Sequence, residues 1–262
     1  MFEKIVILGN GNLAQNIARF LQKRPIVCAS YRENALSLFS TWCQKNQIPY
    51  HNFHHQKDVK CFLESFQQQT LIISANNYYL FPDEIIRQER FKIINYHNSL
   101  LPHHRGLNAQ MWSIFEQDST SGITWHCVVP CIDCGAVIIQ KSIALDSSET
   151  YLTLTQKQLK LAFEAFMQIC PRLLEWNLTT SQQENGDFVL HKRTDLPNGG
   201  YLDLQWDWEK KSAFLRSMDC GKSGALPKPH VILNGKEYAI LGYKENRENA
   251  LGFDLNLGEK NG

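Results

Sequence analysis

The sequence predicts an α/β protein: a Rossmann-like domain with a mostly parallel sheet, followed by a small, mostly β C-terminal module. Three observations carry this. Short apolar runs alternate with helix-period stretches through the first half of the chain, the pattern of a parallel sheet covered on both faces. The first apolar run ends in a glycine-rich turn that opens a helical stripe. Beyond about residue 188, short strand candidates are separated by Asn-Gly and Gly-Gly turns, the punctuation of antiparallel hairpins.

Taken in order, Lys4 to Leu8 is a strand, Gly9-Asn10-Gly11-Asn12 a turn, and Leu13, Ile17, Phe20 and Leu21 one face of a helix that Pro25 stops. Ile26 to Ala29 is a second strand, with a helix expected from Glu33 to about Asn46 and another near Asp58 to Phe66. A strand follows at Thr70 to Ala75, then a short helix after Pro82 and a strand at Phe91 to Asn95. A helix near Asn108 to Glu116 precedes two apolar segments, Gly122 to Val129 and Ala136 to Ile143. Thr150 can cap a long helix reaching about Trp176, with Leu159, Ala162, Phe163, Phe166, Ile169 and Leu173 as its apolar stripe and a bend at Pro171. Thr179 to Asp187 is polar and aperiodic, as a linker would be. The C-terminal module should hold strands at Phe188 to Lys192, Tyr201 to Leu204, Val231 to Leu233 and Glu237 to Tyr243, with one helix near Glu209 to Met218. Asn246 to Gly262 is expected to be a loosely ordered tail.

The 262 residues suit one large domain with a small one attached, and 43% hydrophobic residues can fill a sizeable core. Lys and Arg number 27 against 26 for Asp and Glu, so no overall field favours nucleic acid or anionic lipid. The start of the chain lacks the pattern of a signal peptide, and no apolar run approaches the length of a membrane span. Eight scattered cysteines point to reduced thiols and a cytoplasmic protein.

Two motifs compete for attention. Gly9-Asn10-Gly11-Asn12-Leu13-Ala14 fits a Gly-x-Gly-x-x-Ala dinucleotide turn. The second strand ends in Ala29-Ser30-Tyr31-Arg32 rather than an acidic residue, so Arg32 and a 2′-phosphate leave an NADP-binding oxidoreductase as the different-class alternative. A plain tight turn is the favoured reading. Cys131-Ile132-Asp133-Cys134 has metal-knuckle or redox spacing, but no second pair exists to complete a zinc site, and two ordinary thiols flanking Asp133 are favoured. No metal is expected.

Asn95-Tyr96-His97-Asn98-Ser99-Leu100-Leu101-Pro102 begins at the carboxyl end of a predicted strand, where open sheets bind ligands. Asn95 and His97 alternate along an extended segment and so face the same side. A carboxamide, an imidazole and the carboxylate of Asp133 can together polarise a carbonyl, stabilise an oxyanion and manage the protons of an attacking group. Tyr78, Tyr79 and Phe81 follow a strand end too, as a pocket wall or as loop packing.

The order of these motifs resembles the folate-dependent formyltransferase family. Asn95 to Pro102, then Arg105-Gly106, then Gly122-Ile123-Thr124-Trp125-His126, then Ile132-Asp133-Cys134-Gly135 is similar to that family's Asn-x-His-x-Ser-Leu-Leu-Pro loop, Gly-Val-Thr strand and Asp-x-Gly turn. The resemblance covers about residues 1 to 180 and implies a formyltransferase catalytic domain over 1–180, a small formyltransferase-type β module over 188–245 and a tail over 246–262. It implies N10-formyltetrahydrofolate as co-substrate and an amine as acceptor. Asn95 would hydrogen-bond the formyl oxygen, and His97 would stabilise the oxyanion. Asp133 would keep His97 charged, since a neighbouring carboxylate raises a histidine's pKa, or take the amine's proton.

By the same resemblance, Asn77, Tyr78, Tyr79, Leu80, Phe81, Leu100, Ile132 and Asp133 would bind the folate, with main-chain groups reading the pterin edge. Ser99, Arg105, Gly106 and Trp112 would bind the acceptor. The segment Arg105 to Ser113 is most similar to the sugar-nucleotide N-formyltransferases, although Ala109-Gln110 replaces their usual Pro-Asn. The acceptor implied is the primary amine of a nucleotide-linked amino sugar. Methionyl-tRNA, or an amino acid or peptide amine in secondary metabolism, is the alternative, and a homodimer is a candidate assembly.

Overall fold

A computed structural model of the chain describes residues 2–33, 37–184, 186 and 188–259. It forms two compact units, one of Met1–Arg105, Gly122–Ser142 and Gln158–Phe188, the other of Gly106–Ser121, Ile143–Lys157 and Val189–Gly262. In chain order the first elements are β1 (Lys4–Gly9), α1 (Gly11–Leu21), β2 (Ile26–Tyr31), α2 (Leu38–Lys45), β3 (Tyr50–Phe53), α3 (Gln56–Glu64), β4 (Thr70–Ala75), α4 (Asp83–Ile86) and β5 (Phe91–His97). Then come β6 (Arg105–Gly106), α5 (Ala109–Phe115), β7 (Thr120–Cys127), β8 (Val137–Ala144), α6 (Tyr151–Leu174), β9 (Leu190–His191), α7 (Trp208–Met218), β10 (His230–Leu233), β11 (Lys236–Glu245) and β12 (Phe253–Glu259).

The large sheet has the order β3-β2-β1-β4-β5-β7-β8. β1 runs parallel to β2 and β4, β2 to β3, and β4 to β5, whereas β5 and β7 are antiparallel. Burial on both faces explains why β2 and β4 are almost unbroken apolar runs. One face packs Ile5, Ile7, Ile73, Ile94 and Trp125 against α1 and the stripe of α6, in which Ala162, Phe166, Ile169 and Leu173 are buried. The other packs Val6, Leu8, Ile72 and Ile93 with Val59, Leu63 and Ile85. Thr150 caps α6 as expected, its Oγ1 accepting from the Thr153 N–H at 3.2 Å, and the helix continues through Pro171 to Leu174.

Four local differences from the sequence reading have plain causes. β3 is a half-polar edge strand, Tyr50-His51-Asn52-Phe53, with too little apolar content to announce itself. The helix expected from Glu33 begins at Leu38, where the Ser37 hydroxyl caps the Ser40 N–H, and the intervening residues 34–36 lie outside the described ones. The polar segment after residue 179 is tied to the sheet: Ser181 and Val137 exchange both main-chain hydrogen bonds, at 2.8 and 2.9 Å. Within that segment Asn185 and Asp187 lie outside the described residues.

The fourth difference is in the second unit, which contains the antiparallel sheet β10-β11-β12. Asn234 and Gly235 both have positive φ, 50° and 75°, as a type I′ turn between β10 and β11 requires. The strands expected at Phe188 to Lys192 and Tyr201 to Leu204 shrink to β9 and to a single bridge between Tyr201 and His230. The segment after Asn246 is not a tail, because β12 pairs with β11 from Phe253↔Glu245 to Glu259↔Tyr238. Its alternation of Phe253, Leu255 and Leu257 places those three in the unit's apolar cluster. Phe253 is 1% exposed and stacks on Trp208 at 5.8 Å between centroids.

Phe253→Ala should therefore cost about 3–5 kcal/mol of unfolding free energy, measured by denaturant titration. A loosely ordered tail would give almost no change.

Candidate active site

The site begins as an interruption of a core. On the sheet face that packs Val6, Leu8, Ile72 and Ile93, the period-two positions further along β4 and β5 are Ser74, Asn95 and His97. β7 contributes Thr124 opposite His97 and His126 opposite Asn95. Five polar side chains thus stand where aliphatic ones would continue the packing.

Their orientations are fixed by a chain of hydrogen bonds anchored on main-chain groups at both ends. The Tyr79 N–H donates to Asn77 Oδ1 at 3.0 Å, Asn77 Nδ2 to Ser74 Oγ at 3.3 Å, and Ser74 Oγ to Asn95 Oδ1 at 2.7 Å. Asn95 Nδ2 then donates to His126 Nε2 at 3.2 Å, and His126 Nδ1 donates to the Cys127 carbonyl at 2.9 Å. This order assigns every amide and the His126 tautomer, leaving the Asn95 NH2 as the donor end at the site.

Asp133 closes the arrangement. Its Oδ2 lies 3.5 Å from His97 Nδ1 and its Oδ1 3.4 Å from His126 Nε2 and 3.5 Å from Asn95 Nδ2. Asp133 takes a left-handed conformation, φ 54°, at the tip of the loop after β7. Two residues on, a Cβ at Gly135 would overlap the Cys127 carbonyl, so the Asp-x-Gly turn needs its glycine to press against β7. The same fold-back brings Cys131 and Cys134 side by side, with Cα atoms 5.4 Å apart.

His97 departs from the expectation of a charged imidazole. Its Nε2 donates to the His104 carbonyl at 2.8 Å, so Nδ1 is the atom that faces Asp133. Burial is the dominant influence and lowers its pKa below the ordinary histidine value; Asp133 and the His104 carbonyl raise it, but by less. Rather than being held charged, His97 rests neutral, presenting a lone pair towards the carboxylate. His126 Nε2 lies on the other side of the carboxylate.

The remaining expected residues are dispersed. Asn77 orients its loop by bonding both the N–H and the carbonyl of Tyr79, so those main-chain groups are already engaged. Tyr79 is only 4% exposed and packs edge-on against Tyr31 and Phe81, making it core rather than pocket wall. Tyr78, Leu80 and Ile132 are open to solvent, and Phe81 and Leu100 are half-buried.

Ser99 is buried, with its hydroxyl donating to the His103 carbonyl, and so shapes the loop instead of facing a ligand. Arg105 donates from Nη2 to Gln183 Oε1 at 2.8 Å. Gly106 and Trp112 belong to the second unit. There a Cβ at Gly106 would strike the His191 carbonyl, and Trp112 stacks on the His191 ring at 4.3 Å. Ser74, His126 and Gln183 contact this cluster and are not singled out by the sequence reading. The strand periodicity that aligns Asn95 with His97 could find the first two, while nothing in the polar segment around Gln183 signals its role.

The glycine-rich turn is also settled by geometry. Glu33 Oε1 accepts from the Gly11 N–H at 2.9 Å, and Oε2 from Ser30 Oγ and the Tyr50 hydroxyl. A carboxylate thus satisfies the helix N-terminus, which gives the glycine-rich turn the structural role that the sequence reading favours.

A family model described as formyl transferase matches residues 4–170. The chain belongs to the formyl transferase family. GDP-perosamine N-formyltransferases from Brucella melitensis and Brucella abortus are each 26% identical to this family member over 170 residues, 65% of its length and 63% of theirs. It thus matches less than two thirds of those relatives' length. Among solved structures, WlaRD, a sugar 3N-formyl transferase crystallised with dTDP and 5-N-formyl-THF, aligns over 100% of this chain and 99% of its own. The TM-score is 0.73 at 19% identity. An N-formyltransferase from Helicobacter canadensis, in complex with folinic acid and dTDP-3-aminofucose, aligns over 100% of both chains with TM-score 0.73 and 18% identity. Both establish a shared fold. No helix among the described residues is long and apolar enough to cross a membrane.

The buried neutral His97 sets a pH dependence. Its folded pKa is depressed below that of the unfolded chain, so the unfolded chain binds the proton more tightly. Its contribution to stability is therefore full above the unfolded value of about 6.5 and declines as pH falls below it. Denaturant titrations between pH 7 and 5 should show falling stability, with a shallower fall in His97→Gln.

Proposed function

We propose that this chain transfers a formyl group from N10-formyltetrahydrofolate to the primary amine of a nucleotide-linked amino sugar, as a cytoplasmic enzyme. The observation that carries the reading is the convergence of Asn95 and His97, on one sheet face, with the loop residue Asp133, which lies within 3.5 Å of both. The folate supplies the formyl carbon and the departing nitrogen. Exposed Tyr78, Leu80 and Ile132 suit a flat heterocycle beside that polar cluster.

In this reading Asn95 donates from Nδ2 to the formyl oxygen, its amide already oriented by Ser74. Asp133 and neutral His97 receive a proton from the amine as it attacks. Once protonated on Nδ1, His97 becomes a donor to the developing oxyanion and then returns the proton to the departing nitrogen, so the site ends as it began. The depressed pKa favours this direction, because an imidazole already charged could not accept. The amino-sugar acceptor is supported by the relatives named above and by the Arg105 to Ser113 segment.

The direct test is to incubate the protein with N10-formyltetrahydrofolate and a panel of GDP- and dTDP-linked amino sugars, amino acids and methionyl-tRNA, following tetrahydrofolate release and formylated product. Transfer to an amino sugar is expected, and no turnover with any amine would overturn the proposal. Asn95→Ala, His97→Ala and Asp133→Ala should each lower kcat by about 10²–10⁴-fold. Ser74→Ala, which frees the Asn95 amide to turn, should cost roughly tenfold to a hundredfold.

A further inference from the structure

We infer that Gln183 is a positioning residue for Asp133, held in that role by Arg105, and that the polar segment carrying it is part of the catalytic machinery rather than a linker. The inference rests on the formyl-transfer reading above.

Asp133 sits at a loop tip in a left-handed conformation, and its carboxylate must stay within reach of His97, His126 and Asn95. The Gln183 side-chain NH2 spans that turn, donating to the Asp133 carbonyl at 2.7 Å and to the Gly135 carbonyl at 2.8 Å. Both protons of one amide thus bracket the Asp-x-Gly turn, fixing the peptide from which the carboxylate projects. The other end of the amide is tethered as well. Gln183 Oε1 accepts from Arg105 Nη2, a charge-assisted bond that also strengthens the NH2 as a donor. The Arg105 guanidinium lies over the Phe188 ring at 5.1 Å, and Phe188 meets His103 edge-on. The main-chain bonds between Ser181 and Val137 seat the segment two residues earlier.

The consequence is a closed mechanical circuit. His97 Nε2 is tied to the His104 carbonyl, His104 is followed by Arg105, Arg105 holds Gln183, and Gln183 holds the turn of Asp133. The His97 to Asp133 separation is thereby set from both sides. Arg105, which the sequence placed against the acceptor, serves in this circuit through Gln183.

Gln183→Met tests it, because it removes the hydrogen bonds at nearly constant volume and changes no charge. Asp133, His126 and His104 are the titratable groups that bear on His97, and the substitution alters none of them. A shift in the His97 titration then reports movement of Asp133. The expected results are a His97 ring titration, followed by NMR of labelled histidines, displaced to lower pH, and a kcat reduced roughly tenfold to a hundredfold. KM for folate and for the amino sugar should stay within about twofold. Arg105→Met should lower kcat, and the double variant should fall no further than the worse single one, as for residues acting in series. Gln183→Glu, which keeps a partner for Arg105 but has no N–H to give, should lose the same kcat while the thermal midpoint stays close to that of the parent.

An unshifted His97 titration in folded Gln183→Met overturns the positioning role, whether or not any amine is formylated. Unchanged kcat in a protein that does formylate amino sugars overturns it too. Absence of transfer to any amine by the parent, with the His97 shift present, overturns the formyl-transfer reading while leaving the placement of Asp133 by Gln183 standing.

Discussion

The Ser74 hydroxyl donates to Asn95 Oδ1, and that bond decides which end of the carboxamide looks into the site. Without it, the amide could present either a donor or an acceptor to a carbonyl, and only the donor is of use. Ser74 is itself constrained to donate because Asn77 donates to it. Asn77 is constrained because its oxygen is taken by the Tyr79 N–H. Beyond Asn95 the sequence of donors runs through His126 and stops at the Cys127 carbonyl. Each member has one arrangement compatible with its neighbours, so the site is preorganised before a ligand arrives. Such preorganisation spares the reaction the cost of turning dipoles as charge develops.

Burial gives the same cluster its reactivity. A histidine beside a carboxylate would carry a proton if both were well solvated, but here the desolvation of the imidazolium outweighs the attraction. Placing the pair on a sheet face that is otherwise aliphatic therefore converts an ion pair into a pair of acceptors facing each other. In the proposed reaction such a pair would receive the proton of the attacking amine. The fold supplies this environment simply, by extending the two strands β4 and β5 a few residues past their last buried isoleucines.

Much of this is legible in the sequence, and the limits are physical. Alternating apolar runs and helical stripes identify the doubly covered sheet, since burial on both faces leaves little freedom in residue choice. Asn95, His97 and Asp133 are legible because strand alternation and an ordered set of motifs point to them. Tyr79 misleads because an aromatic residue near a strand end looks the same whether it lines a pocket or packs inward. The charge state of His97 cannot be read from sequence, because it depends on how completely other segments cover it. β12 is hidden because its apolar residues alternate with Asp254, Asn256 and Gly258, which dilute the apolar run without disturbing its pairing. Gln183 escapes because its two acceptors are main-chain carbonyls 48 and 50 residues away, and a main-chain partner leaves no trace in local composition.

The second unit has a consequence for how relatives of this protein could exchange parts. Its apolar cluster is drawn from three stretches of chain: Met111 from the first, Tyr151 from the second, and Leu202, Phe214, Val231, Ile240 and Phe253 from the third. Polar ties repeat the pattern, with the Leu152 N–H on the Asp219 carbonyl, Arg216 on the Glu149 carbonyl and Lys210 on the Phe115 carbonyl. A single crossover upstream of Val189 would import the last stretch without the two that complete its core. Recombination that preserves this core has to move all three stretches together, because none of them closes it alone.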